Sequence, residues 1–435
     1  MAWLFFDLLV EALQMLPEAA RHGSNDDRRQ DMEVAKVCAR WLAGVSVALG
    51  VTATALAADD IKMGALFPFS GALAQLGDES YRGLQLAVEE RNAQGGLLGR
   101  KIALIKADAV DANQAVGEAR RLTSVENVSA VFGSFSSALS FAATQVTELA
   151  GVPFFELGAV SDSVTDRGFK YVFRSNSTAR DFANGTIEGV VNVVAPALGV
   201  DPKSLKLAII HEDGLYGKTI AGFQQERAKA LGLNVVQVLP YSAKAVDLSS
   251  LILRLRGAQA DVVLQTSYQN DTMLYFRQAK SAGYKPRAVI GAGGGYSLSD
   301  TAKALNGDMD GAFDIDFPQF AMNEKGAPGL SDFVSAYKKR FNGEPRSGHS
   351  LVNYVGARAF LDAIEKAGSL DKDKVRAAVL AYKQPVGSNA AGWGFDFGDN
   401  GQNRAATTTL MQWQDGKLVT VWPEAAAVAK PIVNR

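Results

Sequence analysis

The sequence contains little cysteine and histidine. Its 435 residues include one Cys, Cys38, and three His, at positions 22, 211 and 349. Cys38 lies in a segment that we interpret below as a signal, so the processed chain would contain no thiol and could form no disulfide. The three histidines do not have the spacing of metal ligands. We therefore expect no metal site and no cofactor.

The sequence also lacks an excess of charge of one sign, and it lacks motifs for nucleotide binding or catalysis. The 45 basic and 46 acidic residues give a net charge of −1 without a basic stripe, which gives nucleic-acid binding no electrostatic support. Gly293–Gly295 belongs to neither a P-loop nor a dinucleotide fingerprint, and the chain has no G-x-S-x-G nucleophile elbow. An enzyme would have to rely on groups, such as a carboxylate pair, that leave no sequence motif.

Residues 1–57 are predicted to lie outside the fold. A positively charged stretch precedes the uncharged run Trp41–Leu56, and Ala55–Ala57 forms an A-x-A cleavage pattern. A membrane span needs about 20 apolar residues, so an uncleaved anchor is the less favoured alternative. We interpret the run as a secretory signal that starts at Met32 and is cleaved near Ala57. Residues 1–31 are then an upstream extension from a misassigned start, or an amphipathic helix with its own role.

Beyond the signal, apolar strands alternate with amphipathic helices. The strand Ile61–Phe67 leads through a Pro/Ser/Gly loop into a helix, which ends at the glycines of Asn92–Arg100. The next two predicted strands are Ile102–Ala107 and Ala130–Gly133, with a second helix between them. This spacing predicts a right-handed βαβαβ unit with a parallel sheet.

A second series of the same kind begins after Asp201-Pro202, with a strand at Leu205–Ile210. The tail alternates as a hairpin over Ala406–Val421, with Asp415-Gly416 at its turn. About 378 residues remain from Ala58 onward, which is enough for two domains. The sequence therefore predicts an α/β protein with two doubly wound parallel-sheet lobes.

One ordered series of motifs resembles a known family. The turn N-A-x-G-G-(I/L)-x-G-(R/K), here Asn92–Arg100, is followed by Asp108 and Asp111 and by an A-V-x-x-A-R-x-L helix. This series resembles the branched-chain amino-acid-binding family of periplasmic solute-binding proteins of ABC importers, and the likeness continues to about residue 420.

The resemblance implies the type I periplasmic-binding architecture, in which three crossover strands join two lobes. The crossings map near residues 174–181, 317–320 and 386–397. Lobe one would comprise residues 59–178 and 319–385, and lobe two residues 179–318 and 386–435. Paired lobes of this kind close on a ligand by a hinge motion.

The resemblance also implies a function. We expect a monomeric periplasmic protein that captures an amino acid or related small carboxylate between its lobes and delivers it to a membrane permease, without making or breaking a bond. Two alternatives stay open. One is a ligand-sensing receptor component of the same fold, and the other is an enzyme acting on a small carboxylate in the same cleft.

The predicted ligand site lies beyond the carboxyl ends of the strands, as in other open parallel sheets. Ser136 and Ser137 begin a helix there, where hydroxyls and free N–H groups can hold a carboxylate or simply cap the helix. The resemblance assigns the ligand carboxylate to Ser137 and to the backbone at Ala159 and Val160. Val160 replaces the usual Thr, so Ser161 is a candidate to supply the missing hydroxyl.

Three further residues are candidates in lobe two. The resemblance matches Tyr216 and Tyr268 to cleft tyrosines of the family, and either could instead be an ordinary surface aromatic. Asp181 follows the first crossover at the start of a helix, where it could serve only as an N-cap.

The main departure from the family is Gly293. Members that bind leucine-like ligands have a Glu there, which pairs with the ligand's ammonium group. Because burying an unpaired ammonium is costly, either another acid substitutes or the ligand lacks an amino group. Asp314 and Asp316 are the candidate substitutes, unless they are only solvated acids at a strand end. Leu76 also replaces an aromatic residue of the leucine-type proteins, so strict leucine specificity is not expected.

Overall fold

The computed structural model describes residues 59–433, and the predicted extension and signal lie outside this range. Two large sheets form the frame. The first contains β1 (Ile61–Phe67), β2 (Ile102–Asp108), β3 (Ala130–Gly133), β4 (Phe154–Glu156) and β5 (Val172–Arg174). The second contains β6 (Lys206–Glu212), β7 (Asn234–Tyr241), β8 (Val262–Thr266), β9 (Ala288–Gly291), β10 (Phe313–Asp316), β13 (Thr409–Gln414) and β14 (Lys417–Trp422). A third, two-stranded sheet pairs β11 (Lys383–Gln384) with β12 (Phe395–Asp396).

Helices connect the strands and cover both sheets. They are α1 (Ala74–Ala93), α2 (Ala112–Ser124), α3 (Ser137–Ala150), α4 (Ala179–Gly189), α5 (Ala195–Leu198), α6 (Leu215–Leu231), α7 (Ser249–Gly257), α8 (Gln269–Ser281), α9 (Ser299–Leu305), α10 (Leu330–Phe341), α11 (Gly348–Ala367) and α12 (Lys372–Leu380). Within residues 59–433, no helix combines the length and apolar character needed to cross a bilayer.

The two large sheets share one strand order. The first runs β2-β1-β3-β4-β5, and the second runs β7-β6-β8-β9-β10 before the antiparallel strands β13 and β14 extend it. All neighbouring pairs from β1 to β5 and from β6 to β10 are parallel. In this order the connections diverge between β1 and β3, and between β6 and β8, which opens a crevice at the carboxyl ends. The predicted fold class is confirmed.

The turn that carries the family motif forms for a steric reason. Gly96 has φ of 84°, and a Cβ at this position would lie 2.0 Å from the Arg100 carbonyl oxygen. The side chain of Asn92 bonds both backbone groups of Ile102, at 2.8 Å to the nitrogen and 2.9 Å to the oxygen. The motif therefore fixes the angle between α1 and β2.

The helix that follows the first crossover is interrupted. A π-helical turn at Val190–Val194 separates α4 from α5. Pro196, near the start of α5, has no N–H to donate to the carbonyl one turn earlier. A wider turn at this place accommodates the missing hydrogen bond.

Residues 395–403 contact the first sheet. Arg174 of β5 forms an isolated parallel β-bridge with Gln402. The Phe397 ring centroid lies 5.6 Å from that of Phe360 on α11. The sequence prediction assigned these residues to lobe two. The hairpin that follows, β13–β14, turns at Asp415-Gly416 as predicted and pairs with β10.

Candidate functional site

A small cavity lies where loops from the two large sheets meet. It is lined by Leu76, Phe135, Gly158, Val160, Phe182, Tyr216, Tyr268, Gly294, Asp316, Phe317 and His349. Its volume is about 20 Å³, which is room for roughly one water molecule. A ligand as large as an amino acid therefore requires the walls to move apart.

The structure brings most of the predicted site residues to this place. Val160, Tyr216 and Tyr268 line the cavity. Six others lie close to lining residues in the chain. Ser136, Ala159, Ser161 and Gly293 are in the loops, Ser137 begins α3, and Asp314 lies on β10. Asp181 instead lines a groove that also includes Glu188, Pro318 and Met322.

The two loops of lobe one are held together by a buried acid, Glu156, at the end of β4. Its carboxylate accepts six hydrogen bonds, from the backbone N–H groups of residues 134, 135, 157, 158 and 159 and from the Ser140 hydroxyl. Burial raises the pKa of Glu156, and these bonds oppose the rise. Glu156 therefore fixes the shape of both loops.

This arrangement corrects one detail of the prediction. The Ala159 N–H, which we expected to bind the ligand, donates to Glu156 at 2.6 Å. The Ser161 N–H is also engaged, by the Ser137 hydroxyl oxygen at 3.1 Å. Within residues 59–433, the backbone N–H groups of Ser137 and Val160 have no acceptor. They remain the donors available at this end of the cavity.

A buried cation lies beneath the same loops. Arg174, at the end of β5, is fully buried and donates to the carbonyls of Ala159 at 3.1 Å and Ser161 at 2.7 Å. In the described part of the chain, its other hydrogen bonds go to Thr165 and Gln402, which are also neutral. Burial lowers its pKa, but arginine stays protonated in proteins. Asp162 and Glu156 are the first two of the acids whose charges oppose the fall in this pKa.

Two tyrosines form the wall contributed by lobe two. The ring centroids of Tyr216 and Tyr268 are 5.2 Å apart, and the Tyr216 hydroxyl donates to the Ala292 carbonyl. Burial raises the pKa of both phenols, and a contact with Ser136 opposes this rise for Tyr268.

Asp314 and Asp316 are not solvated strand-end acids. They are 0% and 1% exposed and lie on the same face of β10. Burial raises the pKa of Asp314 well above its usual range, and the charge of Asp316 raises it further. Burial also raises the pKa of Asp316, to about 7. Asp316 reaches the cavity, and Asp314 accepts the Gly293 N–H at 2.9 Å.

Gly293 itself has φ of 76°, a conformation that glycine adopts without strain. A Cβ here would lie 3.0 Å from the Phe182 ring and 3.1 Å from the Asp316 carboxyl carbon. A side chain at position 293 would therefore require Phe182 and Asp316 to shift slightly, and its backbone would be strained by the positive φ.

Sequence reasoning missed several lining residues. His349 lies at the start of α11, and its ring is 5.6 Å from Phe135 and 5.1 Å from Phe317. Burial lowers its pKa to about 3, so the imidazole is neutral. Phe135 was within reach of the strand-end rule, since it follows β3. His349 follows a crossing rather than a strand of either sheet, so the rule could not select it.

Asp181 has a local structural role. Thr178 caps α4, and the Asp181 carboxylate accepts the Thr178 N–H at 2.8 Å while Thr178 accepts the Asp181 N–H at 3.2 Å. This reciprocal pair is a capping box. The same pair explains why the helix begins there.

Several polar contacts join opposite sides of the cleft. The hydroxyls of Ser161 and Thr219 are 3.0 Å apart, and those of Ser297 and Ser347 are 3.1 Å apart. In addition, the Ser299 N–H donates to the Arg346 carbonyl at 2.9 Å. The structure therefore represents a closed cleft.

The arrangement is suited to holding a ligand. Donors and a buried cation lie at one end, a buried acid lies at the other, and aromatic rings lie between them. Within residues 59–433, no group of three or more His, Cys, Asp and Glu is placed to hold a metal ion. Two lobes of like topology around such a cavity define a two-lobed ligand-binding protein.

Comparison with known proteins gives the family. The periplasmic binding protein model matches residues 60–417. A Leu/Ile/Val-binding protein homolog 7 of Brucella melitensis is 55% identical over 392 residues, covering 90% of this chain and 98% of that protein. The chain therefore belongs to the periplasmic binding protein family and is a solute-binding protein.

Solved structures agree on the fold. LivJ of Streptococcus pneumoniae, a branched-chain amino acid transporter substrate-binding protein in complex with isoleucine, aligns with a TM-score of 0.73 and 23% identity, over 86% of this chain and 100% of that one. A solute-binding protein of an R. palustris ABC transporter, in complex with benzoate, aligns with a TM-score of 0.72 and 19% identity, over 85% and 98% of the two chains.

Proposed function

We propose that this protein captures an amino acid or related small carboxylate between its lobes and delivers it to the membrane permease of an ABC importer. The observation that carries the proposal is the set of donors at the start of α3 and in the facing loop, where the Ser137 and Val160 N–H groups are available. A helix N-terminus attracts anions through its unpaired N–H groups and its dipole.

Two neighbouring features favour a carboxylate at this end. The Ser137 hydroxyl uses its oxygen to accept the Ser161 N–H, so its hydrogen is available for a ligand. Arg174 adds a positive charge behind the loop without occupying the cavity. A ligand carboxylate would thus meet hydrogen-bond donors in a buried site, where hydrogen bonds act strongly.

Lobe closure would bury the ligand. We assign residues 59–178 and 319–385 to lobe one and the hairpin Thr409–Trp422 with residues 179–318 to lobe two. The contacts of residues 395–403 with the first sheet favour a last crossing after residue 403 rather than near Val386. Contacts such as Ser161–Thr219 would then form as the lobes close.

The relatives support the transport role and the location. The Brucella homologue is named for leucine, isoleucine and valine, while the two structural neighbours hold isoleucine and benzoate. All are carboxylates with an apolar part, and this common chemistry fits a cavity of donors and aromatic rings. We infer a monomeric periplasmic protein that acts with a permease and does not transform its ligand.

A thermal-shift screen tests the proposal. The panel contains branched-chain, polar and aromatic amino acids together with their deaminated acids. A ligand that binds only the folded state raises the melting temperature by mass action, so we expect at least one member to do so. The proposal fails if no member raises the melting temperature, or if a compound that does so is converted to product.

A further inference from the structure

We propose that Asp316 binds a positively charged ammonium group of the ligand, so that the solute is an amino-containing carboxylate and not a plain organic acid. The inference rests on the proposed function, because it names the class of solute for the same cavity.

The first support is the unmet bonding of Asp316. Its Oδ1 accepts the Phe317 N–H at 2.7 Å, but its Oδ2 has no partner among residues 59–433, although the residue is only 1% exposed. The nearby Ser297 hydroxyl, which opposes the rise in the Asp316 pKa, donates to the Gly294 carbonyl at 3.2 Å and lies 3.1 Å from the Ser347 hydroxyl. Buried carboxylate oxygens normally have donors. A ligand N–H in the cavity that Asp316 lines would supply one.

The second support is the charge balance around the acid. The neighbour of Asp316 on the same strand face is another acid, Asp314. The cavity lining contains neither Lys nor Arg. The one basic ring in the lining, His349, is neutral because burial lowers its pKa to about 3. A buried charge is stable when it is paired, and within the lining no side chain can pair with Asp316. A cationic ligand group would provide the pairing.

Gly293 offers the third support. A side chain at 293 would begin 3.1 Å from the Asp316 carboxyl carbon. Glycine thus keeps the space beside the Asp316 carboxyl free of side-chain atoms from this loop.

The surrounding rings fit the same group. Phe182, Phe317 and Tyr216 line the cavity together with Asp316. Aromatic faces attract cations, most strongly where water is excluded. With Arg174 behind the opposite loop, the site would orient a zwitterion, its carboxylate toward lobe one and its ammonium toward lobe two.

The test compares matched pairs of compounds on the full chain by calorimetry. The pairs are L-leucine and 4-methylpentanoate, L-phenylalanine and 3-phenylpropanoate, L-alanine and propanoate, and 4-aminobutanoate and butanoate. We expect an amino member to bind about tenfold to a hundredfold more tightly than its deaminated partner, as for a hydrogen bond to a charged group. We expect Asp316→Asn to remove this preference and Asp213→Asn, at an exposed position in the loop after β6, to keep it.

Each other outcome has a distinct meaning. Deaminated acids that bind as tightly as their amino partners would overturn the inference and leave the proposed function intact. Unchanged preference in folded Asp316→Asn would overturn the role of this residue. Absence of binding across the panel would overturn both. The comparison on the parent chain needs no variant, so a poorly folding Asp316→Asn would not prevent a decision.

Discussion

Glu156 and Asp316 are buried acids at the carboxyl ends of parallel strands, one in each large sheet, but their surroundings differ. Glu156 accepts six hydrogen bonds from its own loops. Asp316 accepts one from the Phe317 N–H and leaves its second oxygen without a partner in the described chain. Groups of the protein thus satisfy the hydrogen-bonding capacity of Glu156, whereas a ligand would satisfy that of Asp316. Burial alone does not tell a structural carboxylate from a binding one.

The largest expected effect is on the Glu156 side of this comparison. Glu156→Ala would leave the N–H groups of residues 134, 135, 158 and 159 without their acceptor, while the Leu157 N–H keeps the Gly133 carbonyl at 2.9 Å. We expect the free energy of unfolding to fall by about 3–5 kcal/mol, measured by urea denaturation. Asp316→Asn is the matched control and should unfold no more easily than the parent, because its charge is disfavoured by burial. Equal losses in the two variants would contradict the distinction.

A change at Ser137 tests the donor end of the cavity. Ser137→Ala removes a hydroxyl that can donate to a ligand carboxylate. We expect binding of the best ligand from the screen to weaken by about 1–3 kcal/mol, measured by calorimetry. Ser281→Ala, a change at an exposed hydroxyl on α8, should leave the affinity unchanged. Unchanged affinity in Ser137→Ala would refute the assigned contact.

The pH dependence tests the acid end. Burial raises the pKa of Asp316 to about 7, and a bound ammonium would lower it again. Affinity should therefore fall as pH decreases below 7, by about tenfold between pH 8 and pH 5.5. Of the facing groups, His349 stays neutral above its pKa of about 3, and burial raises the pKa of Asp314 and of Tyr216 well above their usual values.

The ligand-free protein should respond to pH in the opposite direction. A carboxyl whose pKa is raised on folding contributes stability that is present below its usual pKa of 3.8 and is lost as pH rises through about 7. Asp271 makes a similar contribution, because burial raises its pKa to about 7 as well. The melting temperature without ligand should thus fall between pH 5.5 and pH 8. The fall should be smaller in Asp316→Asn/Asp271→Asn than in the parent, and it should not vanish, because burial also raises the pKa of Asp314 and Glu156. An equal fall in the two proteins would contradict the assignment.

The smallest expected effect concerns Asp181. Asp181→Ala removes half of the capping box with Thr178. We expect the free energy of unfolding to fall by about 1 kcal/mol, with no change in ligand affinity. Weaker ligand binding by the folded Asp181→Ala variant would contradict this prediction and indicate that Asp181 contacts the ligand.

The frame of the fold could be predicted from periodicity. The strands Ile61–Phe67 and Ala130–Gly133 have the predicted bounds, since each is an apolar run with clear end signals. The interruption at Val190–Val194 could not be predicted as easily. Pro196 signals a local break, but not how the preceding turn adjusts to it.

The candidate site was predictable in its loops but not in its contacts. The rule of strand carboxyl ends selected the loops of Phe135, Val160 and Tyr268. It could not tell that Asp316 reaches the cavity while Asp314 holds the glycine loop, because residues two apart on a strand share a face. Nor could it find that Glu156 engages the Ala159 N–H, since that bond depends on the path of both loops.

The buried position of Asp316 also bears on how this protein could evolve. The free-energy cost of burying the Asp316 carboxylate is incurred when the chain folds. A cationic group of the ligand would therefore find an acceptor that is already fixed in place. Stability and recognition are then opposed at one residue. Selection for heat resistance alone would favour a neutral side chain at 316 and discard the ligand. An acid at position 316 would be retained only under selection for importing the solute that it binds.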